Sequence, residues 1–162
     1  MNWEQLQQQL VKDPTAFQNE FSREIVLPLL LGQDTADLTY WLGKEIARRF
    51  PLGTWSDLQQ FFTVVNWGQL ELTQQKKATT TLKLTGAIVN QRLTNPKNTG
   101  FNLEGGFLAQ SLQQQLGNLT EAAYEVDKRH QQINFTLKTD PHDPTDDKIT
   151  NFLKFHAPET DE

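Results

Sequence analysis

At 162 residues, 36% hydrophobic and without a cysteine, the chain has material for one sizeable core but none for a disulfide framework, thiol catalysis or a cysteine-ligated metal. Its net charge of −5 is lopsided: from Asp140 onward seven acids face two bases, whereas the first 139 residues carry 13 of each. A neutral body with an acidic tail lacks the basic stripe that displaces counterions from phosphates, so nucleic acid is disfavoured as a partner.

Residues 2–11, "NWEQLQQQLV", put Trp3, Leu6 and Leu10 on one narrow helical stripe behind an Asn2 cap. "DPTAFQNEFSREIVLPLLLG" carries Phe17, Phe21, Val26, Leu29 and Leu30 and reads as helix in part, interrupted at Pro28. The run "IVLPLLLG" at 25–32 is too short to cross a bilayer, and with no apolar leader at the N-terminus the expectation is a soluble cytoplasmic protein without a transmembrane segment. A longer helix is expected from Thr35 to Phe50, stopped by Pro51. Thr54 and Asp57 suggest a cap for a helix over 54–66 whose Leu58, Phe61, Phe62 and Val65 share a face.

After "NWG" the period changes from 3.6 to 2. Leu70 and Leu72, then Leu82 and Leu84, alternate with polar residues on either side of "TQQKKAT", predicting a hairpin. A second alternating pair, Ala122/Tyr124/Val126 and Ile133/Phe135/Leu137, flanks "DKRHQQ", and between the two hairpins "FNLEGGFLAQSLQQQLGN" reads as a helix over 101–116. Four strands with one apolar face each need helical cover, so the fold class is α+β, with a helical layer on a four-stranded antiparallel sheet of two hairpins. The domain is expected to span 1–139, with 140–162 an acidic and partly flexible tail. In that tail "DPHDPTDD" reads as a flexible linker rather than a weak divalent-ion site on His142 and its acids, and Ile149, Phe152, Leu153 and Phe155 as a short docking element or partner-binding peptide.

The stretches "YWLGKEIARRFP" (40–51), "DLQQFFTVVNWGQLEL" (57–72), "LTGAIVNQR" (84–92) and "FNLEGGFLAQSLQQQLGNLTEAAYEVDKRHQQINFTLK" (101–138) together resemble a small Firmicutes-type bacterial family of unknown function. That family is itself similar to the 4-vinyl-reductase domain and to the small subunits of the TRAPP tethering complex. The resemblance implies a compact α+β domain used elsewhere for holding apolar ligands or acyl chains and for dimerisation. The thiolate metal site of some 4-vinyl-reductase domains and the acyl-cysteine of some TRAPP-type subunits do not carry over to a chain without cysteine. His130 in a turn and His142 and His156 in the tail are poorly placed for haem, so no cofactor and no metal are expected.

Two adjacent glycines inside a helix are costly unless a neighbour must come close. Gly105, Leu108, Ala109, Leu112 and Leu116 share one face, so Gly105 is expected either to pack against the sheet or Gly43, or to floor a ligand groove. With Leu42, Ile46, Phe61, Phe62, Leu108 and Leu112 it forms the candidate wall of an apolar pocket. Leu103 and Phe107 make a second apolar stripe on the opposite side of the same helix. Trp41 stands among Lys44, Glu45 and Arg48, off the expected buried face of Thr39, Leu42, Gly43, Ile46, Ala47 and Phe50. Trp41 is either a local stack on Arg48 or Lys44 or an interface anchor, and the stripe of Leu103 and Phe107 is buried either by the protein's own N-terminal helices or by another subunit; Trp41, Leu103 and Phe107 are the candidate interface. Glu104 favours the positive end of its helix, and a Glu45–Glu104 acid–base pair across the helix crossing is the weaker alternative. No nucleophile motif or phosphate-cradling loop occurs, so no catalytic residue is nominated. The chain reads as a non-catalytic module for an apolar, acyl- or lipid-like molecule or a protein partner, with a ligandless homodimeric adaptor as the alternative.

Overall fold

The computed structural model describes residues 3–95 and 98–155; the Asn2 cap, the Leu6 side chain and His156 lie outside the described residues. Helices α1 (Trp3–Lys12) and α2 (Pro14–Phe21) lead into a π-helical turn, Ser22–Val26, and a short α3 (Leu27–Leu31). Pro28 does not interrupt the helical path as expected. It sits in the first turn of α3, just after the wide turn in which Leu27 N–H reaches Ser22 O, where a missing donor is tolerated. Then come α4 (Thr35–Arg49), α5 (Trp55–Val64), β1 (Gln69–Gln75), β2 (Thr79–Thr85), α6 (Ala87–Thr94), α7 (Asn102–Leu116), β3 (Asn118–Asp127) and β4 (Gln132–Pro144). Thr54 caps α5 by accepting Asp57 N–H at 3.1 Å. Helix α6 is absent from the sequence reading because it is short, has no side-chain cap, and its "AIV" continues the apolar rhythm of β2.

The two hairpins join into one antiparallel sheet of order β1-β2-β4-β3. Leu70, Leu82, Leu84, Ile133, Phe135 and Leu137 are buried on the face covered by helices, as the alternation predicts. β4 runs five residues past the expected domain end at 139, with Asn118 paired to Pro144, so 140–144 is strand rather than linker. Its exposed side chains carry no apolar signal, and backbone pairing alone extends the strand.

Helix α7 lies between the sheet and α4, and every residue from Leu103 to Gln114 is buried. The glycine pair serves both sides. A Cβ on Gly105 would make ordinary contact with Phe135, Tyr40 and Ala122 at 3.7–3.9 Å. A Cβ on Gly106 would sit 1.9 Å from Tyr40 O, and one on Gly43 2.1 Å from Leu103 O. The close approach therefore belongs to Gly43 and Gly106, not to Gly105, and backbone meets backbone there. Small side chains line this contact, so Thr39, Gly43 and Ala47 are buried while Leu42 and Phe50, expected on the same face, turn to the surface.

The two glycines should respond oppositely to alanine. Gly106→Ala is expected to lose stability by about 1–3 kcal/mol, because a backbone must move. Gly105→Ala is expected to hold or gain up to about 1 kcal/mol from helix propensity. Urea midpoints at unchanged slope test both, and a shift of the same sign in the two variants would refute the assignment.

Candidate functional site

The π turn aims Arg23 inward. There its Nη2 donates to Glu104 Oε2 at 2.7 Å, and Arg92 Nη1 on α6 donates to Glu104 Oε1 at 2.8 Å. Glu104 has no solvent exposure, and Arg23 and Arg92 keep 6% and 2%. Glu24 completes the group: its side chain is buried 3.9 Å from Arg92 Nε, and it accepts Thr99 N–H at 2.7 Å. Two cations and two anions thus share one buried site, with Arg92 also donating to Gly100 O and stacking 4.0 Å over the Phe101 ring. Burial would push the Glu104 carboxyl up, but Arg23 and Arg92 outweigh it and hold it below its ordinary value.

A second polar group lies where α4 meets the free edge of β3. Tyr40 donates its hydroxyl hydrogen to Glu121 Oε2 and accepts Ala122 N–H at 3.0 Å, while Lys44 Nζ reaches Glu121 Oε1 at 2.9 Å. Burial, followed by the bond to Glu121, raises the Tyr40 phenol well above its ordinary value and keeps it neutral. Lys44 is 3% exposed and lies 5.2 Å from the Trp41 ring centroid, so the ammonium is held between a carboxylate and an indole. Beside this group Ala36, Asp37, Tyr40, Trp41, Asn102, Glu121 and Ala122 line an open, largely polar cleft of about 340 Å³. Among the described residues, no group of three or more His, Cys, Asp or Glu side chains is placed to hold a metal ion.

The model of a family described as "Protein of unknown function (DUF2507)" matches residues 16–138. The chain belongs to this family. It is 40% identical over 129 residues to the uncharacterized protein YslB of Bacillus subtilis (strain 168), a match covering 80% of this chain and 87% of that protein. Its fold is similar to that of a vinyl-4-reductase family protein from Methanocaldococcus jannaschii, with a TM-score of 0.52 at 17% identity over 62% of this chain and 67% of the other. Arg23, Glu24, Arg92, Glu104 and the cleft all fall within the DUF2507 span.

In this DUF2507 chain the residues nominated for an apolar pocket do not form one wall. Phe61, Phe62, Leu108 and Leu112 are core residues, with Phe61 stacked on Phe107 at 4.7 Å and Trp67 edge-on to both. Gly105 faces the sheet, Ile46 is half-buried against the core, and Leu42 is exposed. Of the interface candidates, Leu103 and Phe107 are buried within the single chain, covered by its own α4 and α5. Trp41 remains 58% exposed. The Glu45–Glu104 pair does not exist: Glu45 is at the surface, 3.6 Å from Arg48 and Arg49, and Glu104 is deep in the interior. Arg23, Glu24 and Arg92 escaped the sequence reading. Their one trace was Glu104 itself, an acid between Leu103 and Phe107 near the start of a helix with two apolar stripes.

Glu104→Gln would leave two buried guanidinium groups facing a neutral amide and is expected to cost about 3–5 kcal/mol. Because the folded carboxyl titrates below its unfolded value, its contribution is full above about pH 4.3 and is lost as pH falls through the lowered value. Denaturant titrations from pH 7 to 3 should show a shallower acid loss in the variant; parallel curves would show that Glu104 is not the group responsible.

Proposed function

We propose that this protein is a non-catalytic binding module that pairs with a second copy of itself through the outer face of α4. The observation that carries the reading is the set of side chains on that face. Leu38 (42% exposed), Trp41 and Leu42 (38%) lie together at helical spacing, with Asp34 in the turn just before α4 and Glu45 and Arg49 after them on the same side. An antiparallel α4–α4 crossing on a two-fold axis between residues 41 and 42 stacks Trp41 on Leu42 of the second copy. It also sets Asp34 opposite Arg49 of the second copy at both ends. Glu45, on the same stripe and paired with Arg49 within the chain, falls opposite Leu38 of the second copy, so Trp41 and Leu42 at the two-fold axis carry the contact and the charges flank it. Leu29 and Leu30 of α3 are also exposed, at 82% and 75%.

The cleft of about 340 Å³ favours a second reading, a small molecule laid against Trp41. The aromatic cluster of Phe61, Phe62, Trp67 and Phe107 fills the centre of the core, and the cleft is lined by Asp37, Tyr40, Asn102 and Glu121 beside Trp41, so a molecule held there would stack on the indole and meet polar groups rather than lie in an apolar pocket. Native mass spectrometry separates the readings, since it reports oligomer mass and any retained ligand together.

In analytical ultracentrifugation the wild type is expected to sediment as a dimer at micromolar concentration. Trp41→Ala and Leu42→Asp should each shift it toward monomer with an unchanged circular dichroism spectrum, in keeping with a central aromatic anchor worth about 2 kcal/mol or more. A wild-type monomer at high micromolar concentration, or a dimer indifferent to both substitutions, would sink the self-pairing reading.

A further inference from the structure

The sign of the cleft at the β3 edge is set by which charges turn toward it. Asp37 and Glu121 line it, and among the described residues no lysine or arginine does. The cations that follow on α4 are engaged elsewhere. Lys44 is 3% exposed with Nζ on Glu121 Oε1 at 2.9 Å, and Arg48 lies between Gln110 Oε1 at 3.2 Å and Glu45 Oε2 at 3.6 Å. Tyr40 donates its hydroxyl hydrogen to the other Glu121 oxygen, and burial keeps the phenol neutral. The Asp37 carboxylate makes no hydrogen bond or ion pair among the described residues. A place in the first turn of α4 suits its sign, but the helix dipole does not require that it converge with Glu121 on one concave surface. Two carboxylates against one buried ammonium leave the cleft with an excess of negative charge.

The protein itself shows how this corner treats an ammonium. Lys44 Nζ sits 5.5 Å from the Tyr40 ring centroid and 5.2 Å from that of Trp41, with Glu121 completing the enclosure. The two rings stand edge-on, 6.4 Å apart at 84°, so they form a corner rather than a stack. Trp41 is 58% exposed and also lines the cleft, so indole surface remains for a second group. A cation laid on it is attracted by the ring quadrupole and by the carboxylates at once, whereas an anion meets two like charges. Asn102, at the start of α7, adds an amide that both donates and accepts.

We propose that the cleft binds an organic cation, a protonated amine carried on a small flat body. This rests on the small-molecule reading of the cleft and not on self-pairing through α4. Asp37 takes the ammonium, Trp41 the flat body, and Asn102 a polar substituent. Glu121 acts as a fixed wall: Tyr40 and Lys44 hold its two oxygens, so it contributes charge to the cleft without moving to meet the ligand. Lys44 and Tyr40 are positioning residues, and the selectivity lies with Asp37.

The test uses the full chain and three probes of one shape and different charge: 2-phenylethylamine, 2-phenylethanol and 3-phenylpropanoate. The nuclear magnetic resonance signal of the Trp41 indole N–H, assigned by its disappearance in Trp41→Phe, reports binding at the cleft. The amine should shift that signal at millimolar concentration and bind about tenfold more tightly than the alcohol, and the carboxylate should leave it unmoved. Asp37→Asn, at an exposed position, should abolish the preference while leaving the alcohol's affinity in place, and added salt should weaken the amine alone. Equal binding by amine and alcohol, or a preference that survives Asp37→Asn, overturns the cation assignment and leaves the small-molecule reading standing. No shift with any of the three probes at millimolar concentration overturns both. If Asp37→Asn does not fold, the order of the three probes on the wild type and its salt dependence decide, and an order insensitive to charge overturns the proposal.

Discussion

Where α4 crosses α7, Tyr40 O occupies the place a side-chain carbon on residue 106 would need, and Leu103 O does the same opposite Gly43, so the two helices meet without side chains between them. That approach sets the rotation of both helices. On α4 it turns Thr39, Gly43 and Ala47 inward and leaves the bulkier Leu38, Trp41 and Leu42 outward. On α7 it places Gly105 over the sheet and directs Leu103 and Phe107 toward α4 and α5. It also carries Tyr40 and Lys44 to the edge of β3, where they reach Glu121. The apolar outer stripe and the cleft are therefore consequences of an inner contact between backbones, not independent features.

The buried charges sit at the N-terminal end of the same crossing. Glu104 occupies the first turn of α7, where its sign suits the helix dipole, but the dipole alone would not justify a fully desolvated carboxylate. Arg23 and Arg92 compensate it, and Glu24 and Gly100 compensate them in turn. Such a group adds less to stability than its bond count suggests, because four ions must lose water to form it. Its stronger effect is on alignment: a bidentate carboxylate admits one placement of α6 and of the π turn relative to α7. At the sheet edge, Tyr40 and Gln113 meet the β3 N–H groups of Ala122 and Thr120, so part of that strand's open side is capped by helix side chains rather than offered to another chain.

Strands and the larger helices were legible because each writes its burial as a period. Leu82/Leu84 and Ile133/Phe135/Leu137 alternate, and Leu58, Phe61 and Phe62 recur at helical spacing. Periodicity failed where contact distance, rather than hydrophobicity, decides what is buried. Thr39, Gly43 and Ala47 outrank Leu42 and Phe50 on α4 only because α7 comes so near, and no property of α4 by itself announces that. It failed again for charges: Arg23, Glu24 and Arg92 look like surface residues until Glu104, up to 81 positions away, is set among them. The strand over Asp140–Pro144 was invisible because its side chains are exposed and polar. Trp41 is legible as exposed because Lys44, Glu45 and Arg48 flank it in sequence, and Lys44 does lie against its ring.

The burial of α7 also bears on how the molecule comes apart. A helix carrying two glycines and a covered carboxylate has little tendency to persist alone, and here it touches the sheet on one side and α4 on the other while Glu104 ties it to α6 and the π turn. Departure of either layer exposes a face that α7 covers and removes the packing that holds α7 helical. The π turn, α4, α6, α7 and the second hairpin are thereby bound into one cooperative unit, with the opening helix α1, whose described side chains are exposed, the element free to fray separately.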